Sequence, residues 1–204
     1  LLDPDAPRHL PDAAGVFFLA GRKFGSTGRE GLTWATNTIA PSRACERYRG
    51  SRIVAFSTGN VYPLVPASSG GATEETAPAP VGDYAMSGLG RERIFQHYSD
   101  LHGTRVASFR LNYACDLRYG VLVDLARKVA AGEPVDLAMG WFNVIWQGDA
   151  CALAIRCLPH ASSPPFVVNV TGVETLRVRD VCEELGRLLW KRPTFRGEER
   201  PDAL

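Results

Sequence analysis

Tyr84-Ala-Met-Ser87-Gly88 opens a run reaching His102 in which Leu89, Ile94, Tyr98 and Leu101 recur at helical intervals, as the core contacts of a helix would. Upstream, Ile53-Val-Ala-Phe-Ser57-Thr58 closes a continuously apolar strand, Arg52 to Thr58, and ends in two hydroxyls before passing into Gly-Asn-Val61-Tyr62. Strands that are apolar without alternation belong to parallel sheets covered on both faces. Thr58 and Tyr84 are 26 residues apart, and the loop between them carries Glu74-Glu75-Thr-Ala-Pro78-Ala-Pro80. Loops beyond ~12–15 residues are uncommon in compact domains unless they serve function. A parallel strand, a long loop and a helix of some twenty residues set the fold class.

The rest of the chain repeats that alternation. Gly15-Val-Phe-Phe-Leu19 reads as a buried strand closed by Ala20-Gly21, followed by a loop to Gly31 with glycines at 21, 25, 28 and 31. A helix is expected from Leu32 to Tyr48, with Trp34, Ile39 and the Ala44/Cys45 pair on one side. Arg105 to Asn112 is a strand, and Gly120 to Ala131 a helix ended by Gly132 and Pro134. Short strands follow near Val135–Leu137 and Phe142–Trp146, then a helix Asp149–Leu158, a strand Phe166–Val170 and a helix Arg177–Leu189. Strands alternating with helices of ten or more residues predict an α/β, doubly wound parallel sheet. Asp83 and Asp149 are expected as helix N-caps.

Composition excludes several classes. The formal net charge of +1 gives no pull on nucleic acid or an acidic membrane. No apolar run approaches the ~20 residues of a membrane span, and no leader opens the chain, so the expected location is cytoplasmic. The Asn169-Val-Thr171 sequon is then coincidental. Five scattered cysteines (45, 115, 151, 157, 182) form no C-x-x-C, and the histidines at 9, 97, 102 and 160 form no ligand pattern. A metal site, a metal-dependent hydrolase and a disulfide framework are therefore not expected, and the thiols read as buried and reduced.

The order of hydroxyl-ended strand, Val61-Tyr62, Glu, Pro and Tyr84-x-x-Ser87 resembles the extended short-chain dehydrogenase/reductases, the NAD-dependent epimerase/dehydratase family. Further correspondences are Asn37 in Trp34-Ala-Thr-Asn37-Thr, Arg110-Leu-Asn112-Tyr, Trp146-Gln-Gly-Asp149-Ala and Phe166-Val-Val-Asn169-Val-Thr-Gly172. The resemblance runs from about Gly15 to Trp190 and rests on order and spacing rather than on any one motif. It implies a Rossmann-like domain over 1–112 and, over 113–204, the last Rossmann elements interleaved with part of a substrate-binding lobe. It implies NAD or NADP as cofactor, a sugar nucleotide or similar hydroxyl/carbonyl substrate, and a homodimer. Thr58 and Tyr84 would then polarise a substrate C–O group, Tyr84 passing the proton while a nicotinamide moves the hydride. Leu19, Ala20, Gly21, Ser57 and Asn37 would attend the cofactor, and Asn112, Tyr62 and Ser87 the substrate.

Two departures qualify that picture. The family writes Tyr-x-x-x-Lys, and this chain writes Gly88 in the lysine's place. A free tyrosine titrates near ~10 and is a poor base at neutral pH, whereas a cation ~4 Å away is worth on the order of 4 kcal/mol at an effective dielectric of ~20. The only lysines are Lys23, Lys128 and Lys191. Lys23, just past the segment that would pass under the cofactor, is the candidate replacement, while Arg91, seven residues beyond Tyr84, is expected to lie a turn too far. Either another cation takes the role, or the protein is a cofactor-binding, catalytically silent regulator or scaffold. The second departure is the missing G-x-G-x-x-G turn that holds a pyrophosphate at a helix N-terminus; the chain reads as an internal fragment whose first βα units lie upstream of Leu1. Calorimetric titration of the 204-residue chain with NAD or NADP is accordingly expected to give weak heats or none. Tight binding would show that these residues hold the pyrophosphate themselves.

Overall fold

The computed structural model describes residues 1–23 and 27–200. Gly25 of the glycine-rich loop and the closing Pro201-Asp-Ala-Leu204 lie outside the described residues. In chain order the elements are β1 (Gly15–Phe18), α1 (Glu30–Arg47), β2 (Arg52–Thr58), α2 (Asp83–His102), β3 (Arg105–Leu111), β4 (Ala114–Cys115), α3 (Val121–Ala131), β5 (Val135–Asp136), β6 (Trp141–Phe142), β7 (Ile145–Trp146), α4 (Gln147–Cys157), β8 (Phe166–Val170), β9 (Leu176–Arg177), α5 (Val178–Leu189) and β10 (Phe195–Arg196). They divide into two compact units. The first takes Leu1–Pro63, Thr76–Leu111 and Cys151–Val170, and the second takes Leu64–Glu75, Asn112–Ala150 and Thr171–Leu204.

The first unit carries a four-stranded sheet of order β1-β2-β3-β8, parallel throughout. Its register aligns Phe18 with Ala55, and Thr58 with Leu111. Helices α1 and α2 pack together against one face. There Phe18 meets Phe95 edge-on at 5.3 Å, among Ile53, Ala55 and Val106 from the strands and Ala40, Ala44 and Cys45 from α1. Each side chain of this size, fully buried, is worth roughly 1.5–3 kcal/mol.

Helix α2 turns a different side inward from the one its apolar spacing suggests. Its buried positions are Ala85, Ser87, Gly88, Arg91, Glu92, Phe95, Tyr98 and Ser99. Of the expected contacts Tyr98 is buried and Ile94 partly so, while Leu101 is 59% exposed. The inward stripe turns polar toward the helix N-terminus, and apolar periodicity alone assigns Arg91 and Glu92 outward. Similarly, in α1 Ile39 is exposed, while Asn37 and Thr33 are fully buried.

Element ends also differ in detail. Gly82, at φ 84, precedes α2, so Asp83 is a first-turn residue rather than the cap, and its Oδ1 accepts from Trp34 Nε1 at 2.8 Å. Asp149 likewise sits inside the first turn of α4. The single strand expected over Phe142–Trp146 is two, because β6 pairs antiparallel with β9 while β7 pairs parallel with β4. Between them Asn143 Nδ2 donates to Glu174 O at 2.8 Å. The second unit has its own core, in which Leu125, Val129, Val135, Leu137, Phe142 and Cys182 bring α3 and α5 onto these short strands.

Cys45, Cys115, Cys157 and Cys182 are buried and Cys151 is exposed. Burial, with a smaller push from Glu46, raises the Cys45 thiol to about 12, and burial also raises the other three. A thiol-specific chromogenic reagent at pH 8 should therefore modify one cysteine rapidly in the folded protein and all five in denaturant. Rapid modification of two or more in the native state would contradict this core.

Candidate active site

The carboxyl end of β2 lies against the first half of α2, and the contact is made by a missing side chain. Thr58 is buried and caps the 3-10 turn Gly59–Val61: its Oγ1 accepts from Asn60 N at 3.2 Å and donates to Asn60 Oδ1 at 2.9 Å. That leaves its Cγ2 methyl facing α2. A Cβ placed on Gly88 would sit 3.1 Å from this methyl and 4.0 Å from Val61 Cγ1. The position where the resemblance calls for lysine is thus the place where helix backbone and strand-end threonine come together.

Tyr84 stands one turn earlier, half-buried. Lys23, in the segment leaving β1, places its Nζ 5.5 Å from the Tyr84 ring centroid, within cation–π range. The sequence candidates Tyr84 and Lys23 therefore meet, and Gly88 ties Thr58 to the same helix.

Beneath them Asn37 is a hub. Its Nδ2 donates to Ser87 Oγ at 2.8 Å and Arg22 O at 3.2 Å, and its Oδ1 accepts from Arg22 N at 3.0 Å and Arg91 Nη2 at 2.5 Å. An amide offers two donors and two lone pairs, so all four are used. Ser87 Oγ in turn donates to Tyr84 O at 3.0 Å. Neither Asn37 nor Ser87 has exposed surface. Asn37, expected at the cofactor, and Ser87, expected at the substrate, thus both brace the site from within.

Arg91 turns its side chain inward rather than to solvent. Helical side chains lean toward the N-terminus, so a long one covers the preceding turn. The Arg91 guanidinium donates to Phe56 O at 2.6 Å as well as to Asn37, and it abuts Gly21, where a Cβ would fall 2.3 Å from Nη2. Burial lowers the Arg91 pKa, against which the charges of Tyr84, as phenolate, and Glu92 act in the opposite sense.

A second network lies alongside. Arg110 in β3 forms a bidentate pair with Glu92, Nε to Oε1 at 2.9 Å and Nη2 to Oε2 at 2.7 Å, with both side chains under 10% exposed. Ser57 Oγ donates to the same carboxylate at 2.5 Å. Arg110 Nη1 donates to Tyr62 OH at 2.5 Å, and that hydroxyl donates to Asn169 Oδ1 at 2.8 Å. Burial acts against the Arg110 charge, but hydrogen bonding and attraction from Glu92, helped by Tyr62, outweigh it and raise its pKa. Ser57 and Tyr62, expected beside cofactor and substrate, have their hydroxyls engaged here. Breaking such a buried pair costs about 3–5 kcal/mol. Glu92 escaped the sequence reading; the available signal was Arg110 inside an apolar strand, which requires a buried acid.

Of the remaining candidates, Leu19 is 62% exposed, Ala20 half-buried and Gly21 exposed at the end of β1. Asn112 follows β3 and belongs to the second unit. Among the described residues no group of three His, Cys, Asp or Glu side chains is arranged to hold a metal, and no helix is long and apolar enough to cross a membrane.

The chain belongs to the NAD-dependent epimerase/dehydratase family, whose pattern matches residues 11–170. No curated protein sequence matches it. Among solved structures it is similar to RMD from Pseudomonas aeruginosa complexed with NADPH, at 22% identity and a TM-score of 0.81, covering 98% of this chain and 75% of that one. It is also similar to the UDP-glucose 4-epimerase of Thermus thermophilus with NAD, at 23% identity and 0.73, and to that of Thermotoga maritima with UDP-glucose, at 17% and 0.71. Each of these alignments covers 93% of this chain and 66% of the other. The chain thus spans about two thirds to three quarters of these proteins. Its parallel α/β sheet matches their Rossmann-like fold.

The Thr58–Gly88 contact makes a double-mutant prediction. Gly to Ala inside a helix gains up to ~1 kcal/mol, but in the wild-type background the new methyl must displace Thr58 Cγ2. Gly88→Ala should be near neutral alone and stabilising by about 1 kcal/mol on top of Thr58→Ser, read as non-additive urea midpoints. Equal effects in both backgrounds would mean that the two residues do not touch.

Proposed function

We propose that the chain is part of an NAD(P)-dependent oxidoreductase or epimerase acting on a sugar nucleotide or similar hydroxyl/carbonyl compound. The observation that carries the reading is Lys23 Nζ over the Tyr84 ring, on a helix whose next turn abuts Thr58. Tyr84 is the proton-passing group, Thr58 the second hydroxyl at the reacting C–O, and Lys23 the exposed cation over the Tyr84 ring.

The described residues fit the nicotinamide end of the cofactor. The carboxyl ends of β1 and β2 lie side by side in a parallel sheet, where ligands of such folds bind. Leu19 presents an exposed apolar side chain there, and Gly21 is exposed two residues on. When bound, the nicotinamide supplies the hydride acceptor or donor. Leu19, Ala20 and Gly21 provide its floor, while Tyr84 and Lys23 orient the reacting hydroxyl. NADPH in one similar structure and NAD in another leave both nucleotides in play for this chain.

A second reading is favoured by one observation, the Thr58 methyl against Gly88, where the resemblance calls for lysine. It makes the chain a cofactor-binding but silent scaffold. Turnover of UDP- and GDP-sugars with NAD and NADP separates the two. Tyr84→Phe should lower kcat by about 10²–10⁴ with unchanged circular dichroism. Turnover unaffected by Tyr84→Phe, Thr58→Ala and Lys23→Ala together would sink the catalytic reading.

A further inference from the structure

We propose that Arg91 is a positioning residue for the cofactor. Its guanidinium is a wedge that carries the chain out of β1 and fixes Gly21 and Arg22 at the height where the nicotinamide rests. The inference rests on the assignment of Leu19, Ala20 and Gly21 as the nicotinamide floor, and it names the side chain that sets that floor.

Three observations converge. First, the wedge sits where β1 leaves the sheet. The last β1–β2 pair is Phe18 with Ala55, and the next β2 residue, Phe56, has its carbonyl taken by Arg91 Nη1 at 2.6 Å. Second, the exposed turn rests directly on the guanidinium. A Cβ on Gly21 would lie 2.3 Å from Arg91 Nη2, 3.0 Å from Cζ and 3.1 Å from Nη1, so the backbone there lies against the fork with room for no side chain. Third, the same group reaches the following residue through Asn37. Arg91 Nη2 donates to Asn37 Oδ1 at 2.5 Å, and that amide grips both the N–H and the carbonyl of Arg22, at 3.0 and 3.2 Å.

Packing alone does not account for an arginine here. The residue is 7% exposed, and its Nε is buried with no hydrogen-bond partner. Its bonded partners, Phe56 O and Asn37 Oδ1, are both neutral. A buried polar group left short of partners is unfavourable, and an apolar side chain would fill the same volume without that cost. What an apolar side chain lacks is a planar fork that holds a β2 carbonyl and the Asn37 amide at once. The crevice it props open, at the carboxyl ends of parallel strands, is where ligands of such sheets bind. The same turn delivers the next residue, Lys23, to the Tyr84 ring.

The test uses nicotinamide mononucleotide, the ring with its ribose phosphate, whose binding needs no pyrophosphate loop. Saturation-transfer NMR reads its weak binding through the ring protons, and amide hydrogen exchange over residues 19–23 reads the turn itself. Arg91→Met should weaken binding about tenfold and speed exchange over residues 19–23 about tenfold, while exchange over residues 125–129 in the second unit stays as in wild type. Gly21→Ala, which drives a methyl to 2.3 Å from Nη2, should weaken binding similarly, and adding Arg91→Lys, which removes Nη2, should recover most of it. That pair keeps the test decisive if Arg91→Met does not fold. Wild-type binding in folded Arg91→Met would overturn the proposal and leave Arg91 a structural clamp, whatever the exchange rate. Equal losses from Gly21→Ala with and without Arg91→Lys would overturn it as well. No binding to the wild-type chain would instead fault the nicotinamide floor, while faster exchange in Arg91→Met would uphold the wedge without it.

Discussion

The carboxamide of Asn37 is the point on which the site's geometry turns. Its four bonds tie α1 to the chain leaving β1 through Arg22, and to α2 through Ser87 and Arg91. In a fully buried setting each unmade bond costs about 1–3 kcal/mol, so the four partners are held to one arrangement. Lys23 follows directly from Arg22, and Tyr84 is bonded through its own carbonyl to Ser87. The meeting of Lys23 with Tyr84, 61 positions apart in the chain, thus depends on a neutral side chain that never reaches solvent.

The neighbouring pair of Glu92 and Arg110 fixes the other coordinate. It pins α2 to β3 while also recruiting Ser57 and Tyr62. Arg110 is ion-paired with Glu92, whereas Arg91 donates to the neutral Phe56 carbonyl and Asn37 amide oxygen. The two are not interchangeable: the first ties α2 to β3, the second ties α2 to α1 and β2.

The sheet was legible because parallel strands leave an unbroken apolar signature, and β2 and β8 have the bounds that signature predicts. That Lys23 and Tyr84 come together, and that Thr58 packs on the Tyr84 helix, agrees with the neighbourhood expected from the motif order and the scarcity of lysine. The inward face of α2 was not legible, because sequence logic sends Arg91 and Glu92 to solvent and their partners Asn37 and Arg110 come from elsewhere in the chain. The two-residue strands β4 to β7 were blurred for a different reason. Periodicity needs several residues to declare itself, and their identity is set by the partner each finds.

The packing of Thr58 on Gly88 bears on how this chain can change. Any side chain at 88 has to share its space with the threonine methyl, 3.1 Å from where its Cβ would sit. Trimming Thr58 while 88 stays glycine would instead leave a gap beside α2. The two positions are therefore read as one: the residue tolerated at either is set by the residue present at the other.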